Sequence, residues 1–189
     1  MKTRLECVPR EEAQRIGAEM GISEAQAGRG AFRMLAHHPD LVRHVYGLLT
    51  MLSSRNKLPT RLRELVIMRL AWVSGAEYAW FQHYRIATAP GIAPEEIVAV
   101  RDWRESALFG PAERAVLAAA DDTCERGSIS DAVWAECEGQ LKEPAILVEM
   151  VVAIGNWTMF SQLLQSLRVP LEEGAVPWPP DGRAPAPAD

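Results

Sequence analysis

Ala76-Glu77-Tyr78-Ala79-Trp80-Phe81-Gln82-His83 decides how this chain is read. On a helix, steps of three and four residues return to one face, so positions 76, 79, 83 and 87 share a narrow stripe. Alanine at 76, 79 and 87 leaves His83 as the functional side chain on it. Small residues beside an imidazole either admit a neighbouring helix or leave room for a ligand. Glu77, Trp80, Phe81 and Tyr84 form a second, mostly aromatic stripe, whose ordinary use is core or subunit packing. Twelve residues before Ala76 lies Glu64, in the first turn of the preceding helix, where a carboxylate also gains from the helix dipole. If the two helices fold back as a hairpin, Glu64 comes towards His83. A carboxylate there favours the imidazolium and holds one tautomer, which prepares a histidine for proton transfer. A lone helical histidine and a helix-start acid are each more often structural; their combined spacing points to a site.

Working outward, nearly every segment has helical spacing and none alternates with period 2, so the chain reads as all-α. The spacing predicts helices over 10–20, from Ser23 to His37, from Pro39 to a polar break at 53–57, over 61–74 behind Thr60, and over 76–89 up to Pro90-Gly91. Further helices are expected over 94–103, over 112–124 behind Gly110-Pro111, from Ser130 to Glu138, and over 145–167. Gly127 and Gly139 stand where helices should end. From Leu171 the composition turns to Pro and Ala, and 174–189 reads as extended or disordered. Trp178 in that tail either docks on a neighbouring subunit or is incidental. The expected organisation is an N-terminal helical extension (1–29), a helical domain (30–171) and a C-terminal tail (172–189).

Composition narrows the function. The net charge is −5, and 20 Lys and Arg are scattered among 25 acids, so no basic face invites nucleic acid. No apolar run is read as approaching the roughly 18 residues that span a bilayer. The N-terminus has no apolar signal core. A cytoplasmic protein without membrane partners is expected. Cys7, Cys124 and Cys137 are odd in number and far apart, which argues against a disulfide framework or structural zinc. His37, His38, His44 and His83 reproduce no zinc spacing, so no metal is expected. Phosphate-binding glycine motifs and a Gly-x-Ser-x-Gly elbow are absent from the sequence.

Several segments together resemble the carboxymuconolactone decarboxylase/alkylhydroperoxidase D superfamily. Ala76-x-x-Ala79-x-x-x-His83 is similar to its Cys-x-x-Cys-x-x-x-His segment with both thiols replaced, and Glu64 lies at the offset of its proton-relay glutamate. Leu58-Pro59-Thr60-Arg61-Leu62-Arg63-Glu64-Leu65 resembles its helix entry. Gly75-Ala76-Glu77-Tyr78-Ala79-Trp80 resembles the form common in its cysteine-free members. Gly91-Ile92-Ala93-Pro94-Glu95-Glu96-Ile97 and Val169-Pro170-Leu171 resemble its next helix start and its usual ending.

The resemblance implies an alkylhydroperoxidase D-like helical fold, assembled as a homo-oligomer, commonly a trimer or hexamer. It also implies chemistry without metal or organic cofactor on a small carboxylated lactone or ring compound, by decarboxylation or isomerisation. His83 is then the candidate acid and Glu64 its orienting partner. Arg63 is a candidate to bind substrate carboxylate, Glu77 a weaker relay candidate, and Trp80 a candidate pocket wall. Arg61 reads as a solvated helix start. Asn156, Thr158, Ser161, Gln162 and Gln165 interrupt an apolar helix and read as oligomer contacts, with Asn156 and Trp157 alternatively lining a pocket. Two other readings stand beside this one: a hydroperoxide reductase, which would need a low-pKa thiolate and a resolving thiol, and a non-catalytic oligomeric ligand-binding protein.

Overall fold

The computed structural model describes residues 3–89 and 91–186; Pro90, expected to end a helix, lies outside the described residues. Every regular element among them is helical: α1 (Arg10–Ala18), α2 (Glu24–Ala27), α3 (Gly30–Leu35), α4 (Pro39–Ser54), α5 (Thr60–Val73), α6 (Glu77–Thr88), α7 (Pro94–Ala99), α8 (Pro111–Arg126), α9 (Asp131–Leu141) and α10 (Pro144–Leu167), with a 3-10 turn at Val100–Asp102 after α7. The all-α expectation holds. Two compact units are present among the described residues, one comprising 3–55 and 163–175, the other 56–89, 91–162 and 176–186.

In the first unit, Ser23 caps α2 through a bond from the Gln26 amide, as its position suggests. The helix expected to continue to His37 instead breaks at Gly28-Arg29. A Cβ at Gly28 would stand 2.8 Å from Arg10 Nε, and Arg29 is extended before α3. Phe32, Val42 and Leu52 are fully buried, with Phe32 edge-on to Tyr46 at 4.8 Å. In this unit α1 and α2 pack on each other and on α3, and α3 packs on α4.

The second unit is built around α5, which packs on α6 and α8. Ten of its fourteen residues are buried, the pattern of a helix enclosed on most sides. Its start differs from expectation, since Pro59 rather than Thr60 occupies the capping position. The preceding loop is pinned by the buried Glu149 carboxylate of α10, which accepts from the Lys57 and Leu58 amides at 2.7 and 3.1 Å. Arg61 is not free in solvent. It donates to Glu96 and Glu113, which also accept the amides of Ala93 and Gly110 at the starts of α7 and α8. One guanidinium thus ties three helix starts together.

The buried Asp121 carboxylate on α8 gathers Arg69 Nε at 2.5 Å, Arg104 Nη1 at 2.6 Å and the Trp103 indole at 3.0 Å. Removing it strands a largely buried cation and an indole N–H. Asp121→Ala is expected to lower stability by about 3–5 kcal/mol. Urea unfolding checks this; a loss below about 1 kcal/mol would mean the network contributes little.

Residues 174–186 do not read as the sequence suggests. Trp178 is buried within its own unit, packed on Trp72 and Trp80 at centroid distances of 5.8 and 5.9 Å. Arg101, over both of those rings, donates to Asp181 at 2.7 and 2.9 Å. Aromatic area and a paired fork order a segment too rich in proline to form helix. Gly139 likewise does not end α9, which runs on to the buried Leu141.

Candidate functional site

The α5–α6 hairpin turns through Ser74-Gly75-Ala76. Gly75 has φ +66°, the left-handed conformation that glycine adopts without a Cβ penalty. Ala76, Ala79 and Ala87 are buried, so the small stripe of α6 is used for packing.

Glu64 and His83 meet across this hairpin. His83 Nδ1 lies 2.9 Å from Glu64 Oε2. The other carboxylate oxygen, Oε1, accepts from Arg63 Nη2 at 2.9 Å and Nε at 3.1 Å. On the far side of the ring, the Trp157 indole N–H of α10 donates to His83 Nε2 at 3.1 Å, with the rings edge-on at 5.8 Å. Indole nitrogen can only donate, so Nε2 must be bare and the ring proton sits on Nδ1, facing the carboxylate. The tautomer follows from the partners. Both ring nitrogens are thus engaged by side chains rather than backbone.

Glu64 is 1% exposed, Arg63 5%, and the His83 side chain 16%, so the imidazole is the part of the trio nearest to solvent. Burial alone would push the Glu64 carboxyl up. The charge of His83, the bond from its ring, and the bonds and charge of Arg63 outweigh this and hold it below its ordinary value. Glu64 is therefore an anion, its charge balanced by Arg63.

The remaining candidates are placed elsewhere. Arg63, expected to bind substrate, is buried with its guanidinium on Glu64. Trp80, expected as a pocket wall, is fully buried beneath the C-terminal segment and donates to the Pro179 carbonyl at 2.7 Å. Glu77 is half-buried at the start of α6, and its side chain forms no hydrogen bond or ion pair with the other described residues. Trp157, weighed only as an alternative to an oligomer contact, is a direct partner of His83. Among the described residues no three of His, Cys, Asp and Glu gather as metal ligands.

Residues 39–122 match the model of the carboxymuconolactone decarboxylase family. The fold is that of solved alkylhydroperoxidase D-like proteins. An uncharacterised peroxidase-related protein from Ralstonia eutropha JMP134 superposes with a TM-score of 0.72 at 16% identity, over 90% of this chain and 93% of that one. A second, from Silicibacter sp. TM1040, gives 0.74 at 11% identity over 92% and 93%. The debrominase Bmp8, solved with 2,3,4-tribromopyrrole, gives 0.72 at 19% identity over 92% and 94%. No curated protein matches the chain in sequence. The family match over residues 39–122 and the shared fold support the resemblance to the carboxymuconolactone decarboxylase/alkylhydroperoxidase D-like superfamily. This chain has alanine at 76 and 79, where the resemblance implies a thiol pair.

Proposed function

We propose that this protein is a cofactor-free acid/base enzyme acting on a small carboxylated lactone or ring compound, by decarboxylation or isomerisation. The observation that carries the reading is the Arg63–Glu64–His83 relay, with Glu64 Oε2 2.9 Å from Nδ1 and Nε2 unprotonated where it accepts from the Trp157 indole. In this reading Nε2 is the atom that takes or delivers a proton. Glu64 stabilises the imidazolium formed, and Arg63 keeps Glu64 ionised and oriented rather than touching substrate. That Bmp8, a protein of this fold, is solved with a small aromatic ring supports a ring-sized ligand.

Burial raises the thiol pKa of both Cys124 and Cys137, which does not favour peroxide reduction. Cys137 is buried, donates to the Ala115 carbonyl, and its thiol is pushed up to about 11, chiefly by burial. Redox chemistry calls for the opposite, an accessible thiolate. A His83→Ala variant assayed against carboxylated lactones and aromatic acids tests the reading. Loss of turnover in a folded protein supports it, whereas retained turnover removes it and favours a binding role.

The proposal includes self-assembly through α10. Val148, Val151, Val152 and Met159 are exposed along one stripe of that helix, and Glu149, the charged residue within its span, is turned inward onto backbone amides. The helix carries an 18-residue window apolar enough to cross a membrane, contrary to the expectation from sequence. Half of that window is buried within the protein, as in a core helix, and a cytoplasmic location is carried as part of the proposal. Val152→Asp is expected to shift the protein to monomer in sedimentation velocity; an unchanged sedimentation coefficient would rule out this face as the contact.

A further inference from the structure

We propose that His83 Nε2 and Trp157 Nε1 form a closed seat for one anionic oxygen, a carboxylate or enolate oxygen, which opens when His83 takes its second proton. Assigning that oxygen to a substrate rests on the acid/base reading above. The seat itself can be tested with a simple anion.

The first argument is the direction of the hydrogen bonds. With Nε2 bare, the indole N–H at 3.1 Å satisfies both groups. Once Nε2 is protonated, two N–H donors face each other in a largely buried place, Trp157 being 4% exposed. Neither can accept, so the bond is lost and both donors need a shared acceptor. One oxygen bonded to both requires the nitrogens to stand about 4.5 Å apart, so the side chains part by only about 1.5 Å. The ligand class follows from this geometry: an oxygen that accepts two convergent bonds and carries charge.

The second argument is charge. Arg63 already balances Glu64, so a second proton on His83 leaves the trio with one net positive charge. α5 contributes only Arg63 and Glu64 to this contact. α10 adds no charge near Trp157, since Glu149 is held on the amides of Lys57 and Leu58. On α6 itself, Glu77, Tyr84 and Arg85 form no hydrogen bond with the pair among the described residues. An anion therefore meets two donors, one of them charged, away from bulk water, where such bonds are strongest.

The test uses the full-length protein labelled with 15N. The indole N–H signals of the six tryptophans are followed while sodium benzoate is titrated across a pH series, against matched sodium chloride. Trp157→Phe assigns the signal. The Trp157 signal is expected to move saturably with benzoate, with affinity tightening as the pH falls. Trp157→Phe and His83→Gln should each weaken binding roughly tenfold, and His83→Gln should abolish the pH dependence. A Trp157 signal unmoved at every pH, equal movement of all six indoles, or unchanged affinity in a folded variant overturns the seat. If Trp157→Phe does not fold, His83→Gln decides alone. Benzoate binding as expected without turnover of any ring acid would keep the seat and remove the decarboxylase reading. Turnover that depends on His83 with no anion effect at Trp157 would do the reverse.

Discussion

Replacing His83 with alanine is expected to lower turnover by about 10²- to 10⁴-fold, the usual contribution of a positioned acid or base. The effect should fall on kcat, because the imidazole moves a proton rather than supplying uniform binding. The fold should survive. His83 is the most exposed member of its trio, and Glu64 keeps its two bonds from Arg63. The groups left short are the Trp157 indole N–H and one carboxylate oxygen, a cost of about 1–3 kcal/mol each at most. Circular dichroism and thermal unfolding beside the assay separate loss of chemistry from loss of structure. A folded variant that turns over at the parental rate would end His83's assignment.

Glu64→Gln is the second large effect, and it should strike stability as well as activity. The substitution leaves Arg63, a buried cation, without its counter-ion, and places an amide where one oxygen faces Arg63 donors and the other faces Nδ1. One of those contacts becomes donor against donor. Breaking such a buried pair is expected to cost about 3–5 kcal/mol. A sign follows for pH. The folded carboxyl is held below its ordinary value, so its stabilisation is complete at pH above the range where the unfolded carboxyl titrates. It is lost as the pH falls through the lower folded value. Denaturant unfolding of parent and variant should converge on acidification, and a constant gap would contradict this. Turnover should fall as well, because the imidazolium loses its counter-charge.

The parts of this arrangement differed in how openly the sequence displayed them. The Glu64–His83 contact was legible because the resemblance pairs those two offsets and the short turn at Gly75 lets the two helices fold back as a hairpin. Arg63 was not, because a basic residue in a first helical turn normally reaches solvent, and only tertiary burial turns it inward. Trp157 lies 74 residues from His83; no local pattern encodes that pairing. It is visible only as a polar interruption of an apolar helix. The C-terminal segment misled for a related reason. Proline-rich composition reports that helix cannot form, but not that Trp178 and Asp181 meet Trp72, Trp80 and Arg101 about eighty to a hundred residues away. The break between α2 and α3 falls at Arg29, whose extended backbone follows a still-helical Gly28.

The central claim is that His83 transfers a proton to or from a carbon of a carboxylated ring compound. Its most direct test is proton NMR in D2O, with a panel of small lactone and aromatic carboxylic acids incubated with the protein and with His83→Ala. The account requires carbon-bound deuterium, with or without loss of the carboxylate, in at least one compound with the parent and in none with the variant. Deuterium incorporation undiminished in folded His83→Ala, or no compound in the panel altered by the parent, would contradict it.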